Sequence, residues 1–123
     1  MSDKGSFRFR RTEHLKGRKE IRDVFGKGKR FGCQGAKLFV LKNDLSYNRV
    51  CFTFSRGFGN AVARNRAKRL GREAFRLMKP RLSCGYDLIL LVYPESERLF
   101  AAVTLSVRMG QLEFLFSKAG LLK

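Results

Sequence analysis

The sequence predicts an α+β fold, a single-domain sandwich of helices packed against one small sheet. Three observations carry that expectation. Apolar runs of strand length, rich in β-branched and aromatic residues, recur at 38–41, 50–54 and 86–93. Around them lie longer stretches whose apolar residues repeat at helical spacing. At 123 residues, with 44% hydrophobic and twelve Phe, the chain can bury one core and is too apolar to read as disordered.

Each element follows in order. Residues 1–12, with Phe7-Arg8-Phe9-Arg10-Arg11, form a basic N-terminal arm whose order in isolation the sequence leaves open. Thr12 suits a helix N-cap, and Leu15, Ile21, Val24 and Phe25 make an apolar stripe after it. Ile21 and Phe25 are four apart and share a face. Gly26 and Gly28 stop that helix. Residues 38–41 read as a strand, Asn43-Asp44 as a turn, and 50–54 as the antiparallel partner of 38–41. Gly57 and Gly59 break the pattern. A helix then spans about 60–79 and ends before Pro80. Residues 86–93 are almost continuously apolar, as a strand buried on both faces would be, and Pro94 ends it. A last helix starts near Glu95–Glu97, where acids suit a helix N-terminus. It carries Leu99, Ala102, Val103, Val107, Leu112 and Leu115 and stops near Gly120. The order is α-β-β-β-α-β-α, with one strand before the central helix not assigned to residues. Residues 1–123 make one domain, without internal repeats or low-complexity segments.

Charge narrows the function classes. The net charge is +17. Residues 1–30 carry eleven Lys/Arg against four acids, residues 60–81 eight against one, and residues 82–123 four against four. Two basic segments thus supply most of the excess, where a merely solubilising surface would spread it. Such a field favours nucleic acid or an anionic surface. Cys33, Cys51 and Cys84 include no C-x-x-C pair and there is one His, so no zinc cage is expected and the thiols read as reduced, small hydrophobes. No apolar run follows Met1-Ser2-Asp3-Lys4 or approaches the roughly 18 residues of a membrane span, so a cytoplasmic protein with no membrane partner is expected.

The densest chemistry lies in residues 64–76, with six cations and one acid, Glu73. On a wheel of about 100° per residue, Ala63, Ala67, Leu70, Ala74, Leu77 and Met78 fall within about 100°. Arg64, Asn65, Lys68, Arg69, Arg72, Arg76 and Lys79 fall within about 140° on another side, with Phe75 at the margin. Cations four apart, as in Arg64/Lys68/Arg72/Arg76, repel along an isolated helix, and phosphates relieve that repulsion while releasing counterions. Arg outnumbers Lys here, which suits forked hydrogen bonds to phosphate. Asn65 adds a neutral donor and acceptor for a base, a 2′-OH or a hydrated metal. Upstream, Gly57-Phe58-Gly59-Asn60 lets a backbone approach a partner and leads into a helix N-terminus, itself an anion site. The bland alternatives are a solvated charged face or a membrane-surface helix. The latter would need a bulkier apolar side than this Ala-rich one.

Residues 55–76, Ser55-Arg56-Gly57-Phe58-Gly59-Asn60-Ala61-Val62-Ala63-Arg64-Asn65-Arg66-Ala67-Lys68-Arg69-Leu70-Gly71-Arg72-Glu73-Ala74-Phe75-Arg76, resemble the signature of the bacterial ribonuclease P protein subunit family, in which such a lead enters R-N-x-x-K-R-x-x-R. Val24-Phe25-Gly26-Lys27-Gly28 and the strands extend the resemblance over about residues 8–118. It implies the ribosomal-protein-S5-domain-2-like fold, with a left-handed βαβ crossover around the Arg-rich helix. It also implies an accessory, non-catalytic protein subunit of a tRNA 5′-maturation endoribonuclease, in a complex with a catalytic RNA. That RNA, using Mg2+ held mainly by the RNA, removes the 5′ leader from precursor tRNA. By the same resemblance Arg64, Asn65, Lys68, Arg69 and Arg72 contact the catalytic RNA. Arg56, Asn60, Arg66 and Arg76 extend that RNA-binding set, and Ile21, Phe25 and Phe39 form a cleft for the leader. Ordinary core packing is the alternative for those three; strand alternation turns Phe39 opposite to Leu38 and Val40. Three positions depart from the family pattern. Gly57 replaces a second basic residue, Ile21 a usual Phe, and Gly71 a larger apolar residue. Arg8, Arg10, Arg11, Lys16, Arg18, Lys19 and Arg22 match the family's basic N-terminal region in character only.

Nothing points to protein-borne catalysis. His14 lacks a triad partner, and Asp87, the one acid in an apolar strand, lacks a second carboxylate and reads as the partner of an Arg or a turn. The competing class is a ribosomal-protein-like binder of structured RNA with no role in cleavage.

Overall fold

The computed structural model of the protein describes residues 11–55, 59–93 and 104–123. Helix α1 spans Arg18–Lys27. Strands β1 (Lys29–Cys33), β2 (Ala36–Lys42) and β3 (Arg49–Phe54) follow, then helix α2 (Ala61–Met78), strand β4 (Tyr86–Val92) and helix α3 (Leu105–Lys118). The element order is the expected one. The unassigned strand is β1, whose lone large apolar residue, Phe31, gives little signal.

The sheet order is β1-β2-β4-β3. β2 pairs antiparallel with β1 and with β4, and β3 pairs parallel with β4. Residues 50–54 are therefore not the partner of 38–41: β4 lies between them, with Phe39 opposite Ile89 and Ile89 opposite Cys51. The physical reason is burial. Leu88 and Leu90 face one side of the sheet and Ile89 the other, all completely buried, and only a central strand covers both sides. Parallel pairing of β3 with β4 then needs a crossover, which α2 supplies.

One sheet face carries the main core. Leu38, Val40, Val50, Leu88, Leu90 and Val92 pack there with Ala67, Ala74, Phe75 and Met78 of α2 and Leu112, Leu115 and Phe116 of α3. On the other face α1 sets Val24 against Phe39 and Ile89, with Leu15 beside them. The Asp87 carboxylate, also buried, accepts from Arg49 Nε at 2.8 Å, Arg49 Nη2 at 2.7 Å and Asn43 Nδ2 at 2.8 Å. It thus answers an Arg, as its lone position among apolar residues suggests, and that pairing pushes the Arg49 guanidinium above its ordinary range.

Several expectations are corrected. The first helix starts at Arg18 after Gly17, not at Thr12. Residues Arg11–Glu13 form a 3-10 turn, and the chain then runs beside β3, where Leu15 N–H donates to Val50 O at 2.9 Å. That lateral pairing holds residues 14–15 extended and delays the helix. Gly26 lies inside α1, and Gly28 alone caps it. The start near Glu95–Glu97, with Leu99, Ala102 and Val103, lies outside the described residues. The helix described begins at Leu105, with Thr104 Oγ1 accepting from Val107 N–H. Gly120, at φ +75°, ends it as expected, with Leu121 N–H donating to Phe116 O. Cys33, Cys51 and Cys84 are free; Cys33 and Cys51 are half-buried, whereas Cys84 is exposed rather than packed.

The buried side of α2 is also rotated from the apolar arc of the wheel. Phe75, placed at the margin, is 1% exposed, Gly71 is buried, and Leu70 and Leu77 are only half-buried. Gly71 permits the rotation. A Cβ there would lie 2.7 Å from Phe52 Cδ1, so the missing side chain lets the ring press on the helix backbone. This accounts for one departure from the family pattern.

Candidate nucleic-acid interface

The sequence starts α2 at Asn60. Its Oδ1 accepts from Ala63 N–H at 3.0 Å and its backbone carbonyl from Arg64 N–H at 3.0 Å. Asn60, expected to touch RNA, therefore spends its side-chain oxygen on the cap. Arg64 Nη1 donates to Gly59 O at 3.1 Å, holding that side chain beside the helix entrance. Arg56, Gly57 and Phe58 lie outside the described residues, as do Arg8 and Arg10 of the N-terminal arm.

Rotation of the buried side to Ala67, Gly71, Ala74, Phe75 and Met78 leaves Arg64, Asn65, Arg69 and Arg72 exposed. Lys68, Arg66 and Arg76 are half-buried. Arg66 lies on the far flank of the helix from Lys68, apart from the other cations. Arg76 is tied to Glu73 by two hydrogen bonds, which hold the Glu73 carboxyl below its usual range. The helix's one acid is thereby spent on Arg76. Lys68, Arg69 and Arg72 make no ion pair or hydrogen bond among the described residues. Three adjacent cations stay available on a surface whose self-repulsion a polyanion would relieve.

This cationic row lies on the helix that packs against β3, the edge strand, through Gly71 and Phe52. Burial lowers the pKa of His14, and the positive charge of Arg72 lowers it further. Burial pushes the Cys51 thiol up, and Lys68 works against it. The charge of Arg72 is thus felt at the segment beside β3, and that of Lys68 at the floor beneath α1. On that floor β2 turns Phe39 away from Leu38 and Val40, as alternation requires. Phe25 meets Phe39 edge-on, with centroids 4.8 Å apart and planes at 72°, and Ile21 packs beside them. Ile21 and Phe25 are half-buried, but Phe39 is only 5% exposed. The three cleft residues thus come together, with Phe39 as floor and Phe25 and Ile21 as wall. Leu91 and Cys51 continue the half-buried floor.

Arg30 is a member sequence reasoning missed. Its guanidinium lies over the Phe39 ring, 5.6 Å from the centroid. Period-two alternation along β1 would have placed it opposite Phe31, but the strand itself was not recognised. Among the described residues no three His, Cys, Asp or Glu side chains come together, so these residues offer no cage for a divalent ion. No described helix is long and apolar enough to cross a membrane.

The family model Ribonuclease P matches residues 9–118. The chain is 45% identical over 85 residues to the ribonuclease P protein component of Natranaerobius thermophilus, covering 69% of this chain and 74% of that one. It is 32% identical over 110 residues to the ribonuclease P protein component of Petrotoga mobilis, covering 89% and 93%. Among solved structures, the RNase P protein from Thermotoga maritima matches with a TM-score of 0.73 at 28% identity, covering 84% of this chain and 94% of that one. The Staphylococcus aureus RNase P protein, at 21% identity and a TM-score of 0.75 over 90% of this chain and 98% of that one, shares the fold.

Proposed function

This chain belongs to the ribonuclease P protein family, and from that membership we propose that it binds the catalytic RNA subunit and the 5′ leader of precursor tRNA. It thereby aids magnesium-dependent endonucleolytic removal of the leader. The observation that carries this reading is the row Lys68, Arg69 and Arg72, without ion pairs among the described residues, together with the apolar cluster in which half-buried Ile21 and Phe25 pack on Phe39. Arg64, Lys68, Arg69 and Arg72 neutralise phosphates of the catalytic RNA, and Asn65 adds a hydrogen bond to a base edge or 2′-OH. Phe25, Ile21 and the Phe39 floor receive unpaired leader nucleotides by stacking and apolar contact. The RNA would hold the magnesium, which when bound would supply an activated water for hydrolysis. The chain's own residues position the substrate and lower the repulsion between leader and RNA.

The test adds the protein to its cognate catalytic RNA at low magnesium and follows precursor tRNA cleavage. Rescue of cleavage is expected. Binding without rescue would leave only the structured-RNA binder. Arg69→Ala should weaken RNA binding and reduce the slope of log K against log salt by about 0.7 to 0.9. An unchanged slope would remove Arg69 from the phosphate contacts.

A further inference from the structure

A cavity of about 290 Å³ opens at the end of the sheet where β1 and β4 begin and β2 finishes. Its apolar lining includes Phe31, Tyr86 and Leu121, and Lys27, Lys29 and Lys42 stand around it. The register explains the grouping. Lys29 pairs with Val40 and Lys42 with Tyr86, so both lysines share the sheet face of Val40 two residues apart along β2. Lys27 arrives from the last turn of α1.

Among the described residues none of the three lysines makes an ion pair or hydrogen bond. Lys27 answers the partial negative charge at the C-terminus of α1. Lys29 and Lys42 have no such explanation, because strand ends carry little net dipole. Three like charges around one small cavity call for an anion. An aromatic and apolar lining beneath them calls for a ring or ribose attached to it. The space suits one such unit and excludes a duplex.

We propose that this cavity is a second RNA contact. It takes a single unpaired nucleotide, with the phosphate among Lys27, Lys29 and Lys42 and the ring against Phe31 and Tyr86. The inference rests on the RNA-binding reading of α2 and deepens it. Gly71 packs on Phe52, so the cationic row of α2 lies at β3, one edge strand of the sheet, whereas the cavity is lined from β1, β2 and the start of β4; the two grips are separate. Two separated grips fix the orientation of the protein on RNA, where a single charged helix would leave it free to rotate.

The experiment titrates the full isotope-labelled chain with uridine 5′-monophosphate and, separately, with inorganic phosphate, following the amides of Lys42, Tyr86 and Leu121. The nucleotide should shift these amides along a saturating curve, and phosphate alone should bind at least about tenfold more weakly. Lys29→Gln with Lys42→Gln, two exposed positions whose effect on folding a melting curve checks, should weaken the nucleotide about tenfold. Arg69→Ala should leave it unchanged. Equal affinity for phosphate and nucleotide, an unaffected double variant, or no saturable shift at these amides would overturn the proposal. So would tighter binding of phosphatidylglycerol vesicles at the same amides. Shifts confined to α2 would overturn it while sustaining the α2 reading. Shifts at the cavity, with catalytic RNA binding indifferent to Arg69→Ala, would sink the α2 reading alone.

Discussion

On one face of the sheet, α2 and α3 close over Leu38, Val40, Leu88 and Leu90; on the other, among the described residues, α1 and Leu15 cover Phe39 and Ile89. The first face carries the larger buried cluster, which opens at one end into the cavity beside Val40, Phe31 and Tyr86. The second leaves Ile21, Phe25, Leu91 and Cys51 half-buried, flanked by the cations of α2 at the β3 edge. The same sheet thus supplies a stability core on one side and an incompletely covered apolar floor on the other. Leaving apolar surface half-wet forgoes stabilisation of about 25 cal/mol per Å². That sacrifice makes sense where another molecule completes the burial.

The sharpest way to break this contrast is truncation on each side. Leu90→Ala, on the closed face, should cost about 3 kcal/mol of unfolding free energy in a denaturant titration. Phe25→Ala should cost about half of that, yet weaken precursor tRNA with a long leader more than mature tRNA. Equal loss for both RNAs would make Phe25 a core residue and erase the distinction between the faces.

Asp87→Asn attacks the junction of β3, β4 and the 43–48 turn. It leaves Arg49, a quarter exposed, without its carboxylate, so about 2 kcal/mol is expected, below the range for a fully buried pair. A loss under about 0.5 kcal/mol would mean that water replaces the pair freely. Gly71→Ala probes the closed face more gently. Helix propensity gains about 1 kcal/mol, but the new Cβ must displace the Phe52 ring, for a net loss of about 1 kcal/mol. Phe52→Leu in the same chain should recover most of it. If Gly71→Ala stabilises, the ring moves easily and the rotation of α2 has another cause.

The smallest effect is a titration. His14 is the chain's one histidine, so its ring signals stand alone in a proton spectrum. Burial, Arg72 and Lys16 lower its pKa in the fold, opposed by Glu13. The neutral ring is thus the folded form's preference. This stabilisation is complete above the unfolded value, near 6.5, and is lost as pH falls below it. Arg72→Gln should raise the midpoint, and RNA binding should raise it too. A midpoint indifferent to RNA would place the phosphates away from Arg72.

Much of the fold was legible because local signals agreed with the final packing. Asn60 and Pro80 bracket α2, and the continuous apolar run of 86–92 announces a central strand. Strand pairing was not legible, since 38–41 and 50–54 look like neighbours until a third strand competes for the place between them. Nor was β1, with one large apolar residue in five. The cationic face of α2 was readable from the wheel alone. Its true orientation was not, because it depends on Phe52, nineteen residues from Gly71 and on another element. Arg30 escaped for a similar reason: its partner Phe39 lies across a hairpin whose first strand was missed.

The central place of β4 also sets a timetable. Within the sheet the β1–β2 hairpin and β3 are joined through it, and it comes late in the chain. During synthesis neither half has its partner edge until residues 86–92 emerge. The Arg-rich helix is therefore made while the strands it will lie on are still unjoined. Closing loops of this length before any reward makes folding slow. In that interval the nascent chain already carries both basic segments, and its charge repels other copies of itself while the hydrophobic strands wait for β4.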